Sequence, residues 1–455
     1  MIKENIFREY DLRGIVNDEI DFAGAYTIGR SFGSYIKEKG EEWTVVGHDN
    51  RLSSPELSEN LIKGINDSGV NVYRLGLVTT PMYYFMRKNL NSNTGIMVTA
   101  SHNPREYNGF KIAFVKEGNA YGEAIQEFKD YTFRGDFSEG QGIIEDVDLE
   151  EEYINLLVSS IDLGNRKIKV VYDCGNGAGS IIIKKILDRI PNIEYKLLYC
   201  ESDGNFPNHH PDPSVHENQR TLGKAVKELG YDLGVGIDGD ADRVGIVLEN
   251  GNPIDADIYL LIMYRYLNKN LKNRKALFDV KCSKTLIDEL EKLNIEPVMY
   301  RTGNSYSNMM MQKGNFDFGG EYSGHVFFRD KFPGFDDGIY GGLRMIEVLS
   351  HTDKKLSNLL DGVNKYYSTQ EIKIPVRDDV KLLIVDKVKE YCETKNYKFK
   401  DIDGIRVEFN DSWALIRVSN TSPNLTVRFE SETEDRLLEI QEEFNAVINN
   451  LIQTV

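Results

Sequence analysis

Residues 233–248 read Leu-Gly-Val-Gly-Ile-Asp-Gly-Asp-Ala-Asp-Arg-Val-Gly-Ile-Val-Leu, two short apolar runs on either side of three alternating carboxylates. Whether those flanks are strands or helices separates two architectures. Asp238, Asp240, Asp242 and Glu249 fall at positions 1, 3, 5 and 12 of an EF-hand loop. Position 6 of that loop must be glycine for its sharp turn, however, and here it is Arg243. The flanks, five residues each and rich in Val and Ile, have the length and composition of buried strands and not of helices. The acidic loop therefore joins two strands of an α/β protein. Gly239 and Ala241 leave room between the carboxylates, and an oxygen-only donor set without histidine or thiolate suits Mg²⁺, which keeps positions open for water or phosphate oxygens. A solvated acidic turn is the competing reading. Arg243, beside the acids, can steady them or reach a substrate oxygen by charge-assisted hydrogen bonds.

Working outward, three further apolar runs end in aspartate: Trp43-Thr-Val-Val-Gly-His-Asp49, Ile168-Lys-Val-Val-Tyr-Asp173 and Ala276-Leu-Phe-Asp279. The first is followed by Ser54-Pro55-Glu56, with Ser54 as a candidate N-cap and Pro55 as first helical residue. Each run is followed, farther along the chain, by a strand that ends in a polar loop: Ser101-His102-Asn103, Asp238–Arg243 and Gly320-Glu-Tyr-Ser-Gly-His325. This is a weak internal repeat of three α/β units, each offering one loop at the carboxyl end of a strand, where open α/β sheets bind ligands. Chance resemblance among α/β units is the alternative. The C-terminal part differs, with a helix expected near 380–391, strands around 406–409, 414–418 and 426–430, and a closing amphipathic helix. Its capping box is read at Ser431-Glu-Thr-Glu434, and its apolar face carries Leu437, Ile440, Phe444, Ile448 and Leu451. Domains are expected at 1–148, 149–250, 251–366 and 367–455.

A chain of 455 residues exceeds one ordinary core. Its formal charge of −17 opposes nonspecific binding to nucleic acid or anionic membranes. Small anionic substrates remain open, because charges farther than about 8 Å are largely screened and a pocket sets its own potential. Cys174, Cys200, Cys282 and Cys392 are scattered without a C-x-x-C pair, and are expected to be reduced and structural. The N-terminus lacks an apolar h-region and no stretch approaches about 18 uninterrupted apolar residues, so a cytoplasmic protein is expected.

Ser101 and His102 are neighbours whose side chains are expected to diverge, and no G-x-S-x-G elbow accompanies them. Asn103-Pro104 reads as an N-cap and first helical residue, which would set Ser101 at a positive helix end able to hold a phosphate. Lys111 follows Asn108-Gly109, read as a turn that returns its amine to this loop as a phosphate clamp or proton shuttle. Glu321, Ser323 and His325 are residue types that hydrogen-bond sugar hydroxyls. Arg417, Ser419, Asn420 and Thr421 form a second anion candidate. Ordinary polar turns are the bland alternative for both. His209, His210 and His216 lie in a proline-rich loop without regular spacing and read as structural.

These segments, together with Phe7-Arg-Glu-Tyr-Asp-Leu-Arg-Gly14 and Gly334-Phe-Asp-Asp-Gly-Ile-Tyr340, stand in the order found in the α-D-phosphohexomutase family, which the chain resembles over nearly its whole length, most closely in the bacterial phosphomannomutase/phosphoglucomutase branch. The resemblance implies three related α/β domains with mixed sheets plus a C-terminal α+β domain around a central cleft. It implies a phosphohexomutase that interconverts hexose 6-phosphate and hexose 1-phosphate through a phosphoserine at Ser101, with hexose 1,6-bisphosphate as intermediate and activator. By the same match Asp238, Asp240 and Asp242, with the serine phosphate, bind Mg²⁺. Glu321, Ser323 and His325 contact the sugar, Arg417, Ser419, Asn420 and Thr421 hold the non-reacting phosphate, and Tyr10, Arg13, Lys111, Arg243 and Lys281 line the cleft. The partner implied is a small phosphosugar, with a monomer as the default state. One departure is plain. The branch carries T-G-H-S where this chain has Thr302-Gly-Asn-Ser305, so Asn304 replaces a substrate-contacting histidine, and Asn308-Met-Met-Met311 replaces a basic cluster. Asn304 can hydrogen-bond but cannot carry a charge or shuttle a proton. Phosphoglucosamine mutase, whose sugar loop has Gln at the place of Tyr322, and a binding protein that has lost catalysis are the alternatives.

Overall fold

The computed structural model describes residues 2–116, 118–419 and 423–454. The chain divides into two compact units, Met1–Leu271 with Asn304–Asp361, and Lys272–Gly303 with Gly362–Val455.

In the first unit, β1 (Leu12–Ile15), β2 (Trp43–His48), β3 (Asn71–Leu77), β4 (Gly95–Val98), β5 (Tyr107–Ala113) and β6 (Ile144–Asp146) form a sheet in the order β1-β5-β4-β2-β3-β6. A second sheet contains β7 (Ile168–Asp173), β8 (Ile193–Leu198), β9 (Leu233–Ile237), β10 (Val244–Leu248) and β11 (Pro253–Ile254), in the order β11-β10-β9-β7-β8. The shared plan is visible in the pairing: β2 is parallel to β3 and to β4, and β4 turns back antiparallel into β5, while β7 is parallel to β8 and to β9, and β9 turns back into β10. The pattern recurs farther along the chain. A parallel pair, β12 (Lys275–Asp279) and β13 (Glu296–Tyr300), lies in the second unit, and an antiparallel pair, β14 (Phe318–Gly320) and β15 (Val326–Phe328), lies in the first. In each repeat the loop between the antiparallel strands is one of the three polar loops. The repeat read from sequence is thus a repeat of topology, and β9 and β10, buried at every residue, are strands and not the helices of an EF-hand.

The rest of the second unit is an α+β layer. Its strands are β16 (Tyr367–Ser368), β17 (Ile372–Pro375), β18 (Phe399–Lys400), β19 (Ile405–Glu408), β20 (Ser412–Val418) and β21 (Asn424–Ser431), ordered β16-β21-β20-β19-β18 with β17 also on β21. The helices Lys381–Thr394 and Glu434–Thr454 cover it, burying Ile384, Val388, Ile440, Phe444 and Ile448 against Ile416, Val427 and Phe429. Truncating any one of these large side chains to alanine would cost about 2–5 kcal/mol. Among the described residues no helix is long and apolar enough to cross a membrane.

Local expectations fail where tertiary contacts outcompete propensity. No helix begins at Asn103-Pro104: residues 101–106 form turns, with Asn103 N on Ala100 O at 2.9 Å and Tyr107 N on Pro104 O at 3.0 Å, and lead into β5. Asn108-Gly109 is not a turn but part of β5, paired with Gly14 and Arg13 of β1. Ser54 is the first residue of its helix and not the cap, because its hydroxyl donates to Asp49 Oδ1 at 2.5 Å. The closing helix is capped two residues later than Ser431, by Thr433 Oγ1, which accepts from Arg436 N at 3.3 Å. Cys174 and Cys200 are not both free thiols: the parallel strands β7 and β8 bring their Cα atoms to 5.0 Å and they are disulfide-bonded, while Cys282 and Cys392 are free and buried.

Candidate active site

Ser101 stands between β4 and β5 with a positive φ of 51°, sparsely populated for any residue with a side chain. What over-determines it is Arg51. This buried guanidinium donates through Nη2 to the carbonyls of Ser101 (2.8 Å) and Asn103 (2.6 Å), and through Nη1 to those of Pro104 (2.8 Å) and Tyr107 (3.1 Å). From below, Thr99 Oγ1 accepts from Ser101 N at 2.8 Å. The turned backbone also brings Ser101 Oγ to 3.2 Å from His102 Nδ1, contrary to the divergence expected of neighbours. Since the hydroxyl's single proton goes to Asp238 Oδ2 at 2.9 Å, Nδ1–H is the donor to Oγ.

The acidic loop meets this serine directly. Gly239 is required there, because a Cβ would lie 2.5 Å from the carbonyl oxygen of Ser101. Asp238, Asp240 and Asp242 are all fully buried, and one carboxylate oxygen from each lies within 4.8 Å of the others. Lys111, from β5, donates to Asp240 Oδ2 at 2.7 Å and Asp242 Oδ2 at 2.5 Å. Thr80 Oγ1 (2.6 Å) and Thr99 Oγ1 (3.3 Å) also donate to Asp240 Oδ2. Burial pushes the Asp238 carboxyl well above its ordinary range, and the neighbouring charges of Asp242 and Asp240 add to this. Burial acts on Asp240 in the same sense, but the Lys111 charge and hydrogen bonds from Lys111 and Thr80 outweigh it and hold that carboxyl low. Asp240 Oδ1 and Asp242 Oδ1 are buried acceptors with no hydrogen-bond partner among the described residues. Three crowded carboxylates with orphaned oxygens are a donor set for a hard divalent cation, and the acidic triad can bind a metal.

The third loop closes on the second. Gly324, at φ 94°, accepts Val244 N on its carbonyl at 3.0 Å, which sets Arg243 beside His325. Arg243 Nε donates to His325 Nε2 at 3.0 Å, and His325 Nδ1 lies 2.8 Å from Asp336 Oδ2 and 3.5 Å from Asp242 Oδ1. Burial would lower the His325 pKa, but the carboxylates of Asp242 and Asp336 raise it overall. Burial likewise opposes the Arg243 charge, yet Asp212, Asp238 and Asp242 raise its pKa, with Tyr10 contributing in the same direction. Glu321 has both oxygens held, Oε1 by Ser307 Oγ at 2.5 Å and Oε2 by Ser323 Oγ at 3.1 Å. Asn304 Nδ2 donates to Asp336 Oδ2 at 3.2 Å. Arg13 reaches the serine loop through Asn103 Oδ1 at 2.7 Å and is itself held by Asp11 at 2.5 Å.

Tyr10, Arg13, Ser101, Lys111, the Asp trio, Arg243, Asn304, Glu321, Ser323 and His325 all belong to the first unit. Lys281, Arg417 and Ser419 belong to the second, and Asn420 and Thr421 lie outside the described residues. Within the second unit, Lys281 Nζ lies 2.7 Å from Glu371 and Arg417 Nε donates to Asp403 Oδ2 at 3.0 Å. Burial would raise the Glu371 carboxyl, but the Lys281 charge and hydrogen bond hold it down at about 2.

Four segments match the successive parts of one family: the phosphoglucomutase/phosphomannomutase alpha/beta/alpha domains I (4–139), II (151–251) and III (255–366) and the C-terminal domain (371–447). A phosphomannomutase/phosphoglucomutase of Pseudomonas syringae pv. tomato is 40% identical over 451 residues, covering 99% of this chain and 96% of its own. The chain belongs to the phosphoglucomutase/phosphomannomutase family. A phosphoglucomutase of Neisseria gonorrhoeae is 39% identical, covering 99% of this chain and 98% of its own. The crystal structure of a phosphoglucomutase/phosphomannomutase family protein from Burkholderia thailandensis superposes with a TM-score of 0.90 at 34% identity, covering 99% of this chain and 98% of that one. Family membership makes the chain a mutase-type phosphotransferase of four domains with mixed sheets and helices.

Sequence reading missed Arg51, Thr80, Thr99, Ser307 and Asp336. Asp336 lay in the quoted Gly334–Tyr340 segment and Thr80 precedes a proline at a helix start, so both left a signal. Thr99 stands two residues before the serine it braces, whereas Arg51 and Ser307 gave no signal, because their partners come from other segments.

Proposed function

We propose that the protein interconverts hexose 6-phosphate and hexose 1-phosphate, with mannose and glucose as the hexoses, through a phosphorylated Ser101 and a hexose 1,6-bisphosphate that also serves as activator. The observation that carries this reading is a serine in a strained, fully braced turn whose Oγ donates to a buried aspartate of an acidic trio. In the first half-reaction the phosphoryl group leaves Ser101 Oγ for a hydroxyl of the sugar monophosphate; after the bisphosphate has turned end for end, the other phosphoryl group returns to Oγ. Asp238, Asp240, Asp242 and Ser101 would hold Mg²⁺, which when bound supplies charge neutralisation for a transferring phosphoryl group. Arg243 and Arg13 offer guanidinium donors to the same group, and Tyr10 supports Arg243. Lys111 Nζ and His325 are the groups suited to move the proton of the attacking hydroxyl. Glu321, Ser323 and Asn304 bind the sugar hydroxyls. Lys281, Arg417, Ser419, Asn420 and Thr421 take the phosphate that does not react. The serine loop belongs to domain 1–148, the metal loop to 149–250, the sugar loop to 251–366 and the distal phosphate site to 367–455. The phosphoglucosamine reading is not favoured, since relatives about 40% identical over the whole chain bear the names phosphomannomutase/phosphoglucomutase and phosphoglucomutase.

The deciding experiment is Ser101→Ala, assayed with hexose 1,6-bisphosphate and Mg²⁺. Loss of the nucleophile should cost more than the ~10²–10³-fold of a single donor, and intact mass should lose the phosphoryl adduct that wild type gains from bisphosphate. Near-normal turnover would rule the mechanism out.

A further inference from the structure

A cavity of about 170 Å³ opens in the first unit, with no residue of the serine or acidic loop among its described lining, and is lined by Arg87, Lys88, Lys116, Arg329, Tyr84 and Phe335 among others. Its cations come from separate pieces of chain: the last turn of the helix Thr80–Asn89, the segment after β5, and the residue just beyond β15. Among the described residues that line it, none is an aspartate or glutamate. That is unusual surroundings in a chain of formal charge −17, where cations elsewhere are commonly matched to acids.

The partners these cations do have are neutral. Arg87 Nη2 donates to the carbonyls of Lys116 and Gly118, both at 3.0 Å. Lys116 Nζ reaches Asn91 Oδ1 at 3.0 Å, and Arg329 Nη1 reaches Met311 O at 2.8 Å. Arg87 is only 4% exposed, and its Nη1 is a buried donor with no hydrogen-bond partner among the described residues. Among the described residues none of the four makes an ion pair. Four like charges gathered around one hollow repel one another, and the repulsion is relieved by an anion between them. Two guanidinium groups with two ammonium groups are the donor set that suits a phosphoryl group, by planar fork and point charge respectively. The rings of Tyr84 and Phe335, 6.0 Å apart between centroids, add an apolar wall on which the organic part of an ester can lie.

We infer that this cavity is a second ligand site, for a small phosphate ester, separate from the site of phosphoryl transfer. It does not depend on the mutase reading, since none of its residues enters that chemistry. Phe335 does adjoin Asp336, whose carboxylate contacts His325, so the two sites are close in the chain though distinct in their groups.

The test is calorimetric titration of the full chain, in EDTA, with inorganic phosphate and with phenyl phosphate. Arg417→Ala provides a background in which the proposed distal phosphate site is weakened. In that background both probes should still bind, phenyl phosphate the tighter. Adding Lys88→Ala and Arg329→Ala should weaken binding about tenfold or more, the scale of lost charged hydrogen bonds. Adding Lys184→Ala and Lys185→Ala instead, on the helix Ile183–Leu187, should leave it unchanged. The proposal is overturned if Arg417→Ala alone abolishes binding, or if the two lysine and arginine pairs weaken it equally, which would be a general charge effect. Phenyl phosphate binding no tighter than inorganic phosphate overturns the assignment of an ester. Unchanged melting temperatures for all variants separate lost binding from lost fold.

Discussion

Replacing Lys111 by methionine removes the cation that reconciles the acidic trio with burial. The side chain is 6% exposed, and its ammonium sits 2.7 Å from Asp240 and 2.5 Å from Asp242, both fully buried. Methionine keeps most of the volume, so the change is chiefly one of charge. Breaking a buried ion pair from one side costs about 3–5 kcal/mol, a large share of the roughly 5–15 kcal/mol that holds a typical domain folded. The carboxyls respond in a known direction: Asp240 loses the interactions that hold it low, and Asp238, already raised by burial and its neighbours, has one less opposing charge. Carboxyls whose folded-state pKa is raised favour the fold more as pH falls, so the metal-free variant should recover stability on acidification. A divalent ion at about 100 times its dissociation constant adds about 2.7 kcal/mol to the state that binds it. With Mg²⁺ the variant should therefore regain most of its loss. Because a chain of several domains need not unfold in one step, the readout is native-state hydrogen exchange at the amides of β9 and β10, in EDTA and in Mg²⁺. Protection in EDTA equal to wild type, with no rescue by Mg²⁺, would refute the argument that Lys111 compensates the buried acids.

Three further outcomes are expected. Arg51→Met strands four loop carbonyls and should loosen the serine turn by at least about 3 kcal/mol, seen as proteolysis between 99 and 107; Arg51→Lys should restore little, since an ammonium lacks the fork that spans the turn, and full rescue would contradict the bracing role. Burial raises the Asp337 carboxyl from its ordinary 3.8 to about 7, against the hydrogen bond from Tyr153 and its capping of Tyr340 N. Between those two values the unfolded chain is ionised and the fold holds the proton, so stability should fall as pH rises from about 4 to 7 and level off above; Asp337→Asn should flatten that slope, and an unaltered slope counts against it. Cys200→Ser should lower stability by roughly 3 kcal/mol, the scale for closing a loop of this length; alkylation of four thiols in unreduced protein would show that the bond does not form.

The legible parts of the site were those whose chemistry is contiguous. Asp238, Asp240 and Asp242 fall within five residues, and so do Glu321, Ser323 and His325, so residue type and glycine spacing alone marked them. Ser101 was also singled out, but for a wrong local reason: a helix start at Pro104 that is instead a turn before β5. The sequence could not announce Arg51, because a guanidinium that binds backbone carbonyls of residues 101–107 leaves no pattern in its own neighbourhood. Asn304 was legible as a substitution but not as a contact; only the fold joins it to Asp336 and thereby to the surroundings of His325.

By itself the sequence determined the alternation of strand and helix, the three-fold echo of polar loops, the oxygen-only character of the metal candidate and the family. Those are properties of periodicity and residue type, and they survive without coordinates. The tertiary structure alone decided which partners satisfy each buried charge: that the serine hydroxyl donates to Asp238, that Lys111 neutralises two acids of another domain, and that four cations gather around a cavity with no acid among the described residues of its walls. The reason is physical. The energy of a buried ionic group is set by what surrounds it within a few ångströms, and those neighbours are drawn from residues more than a hundred positions apart.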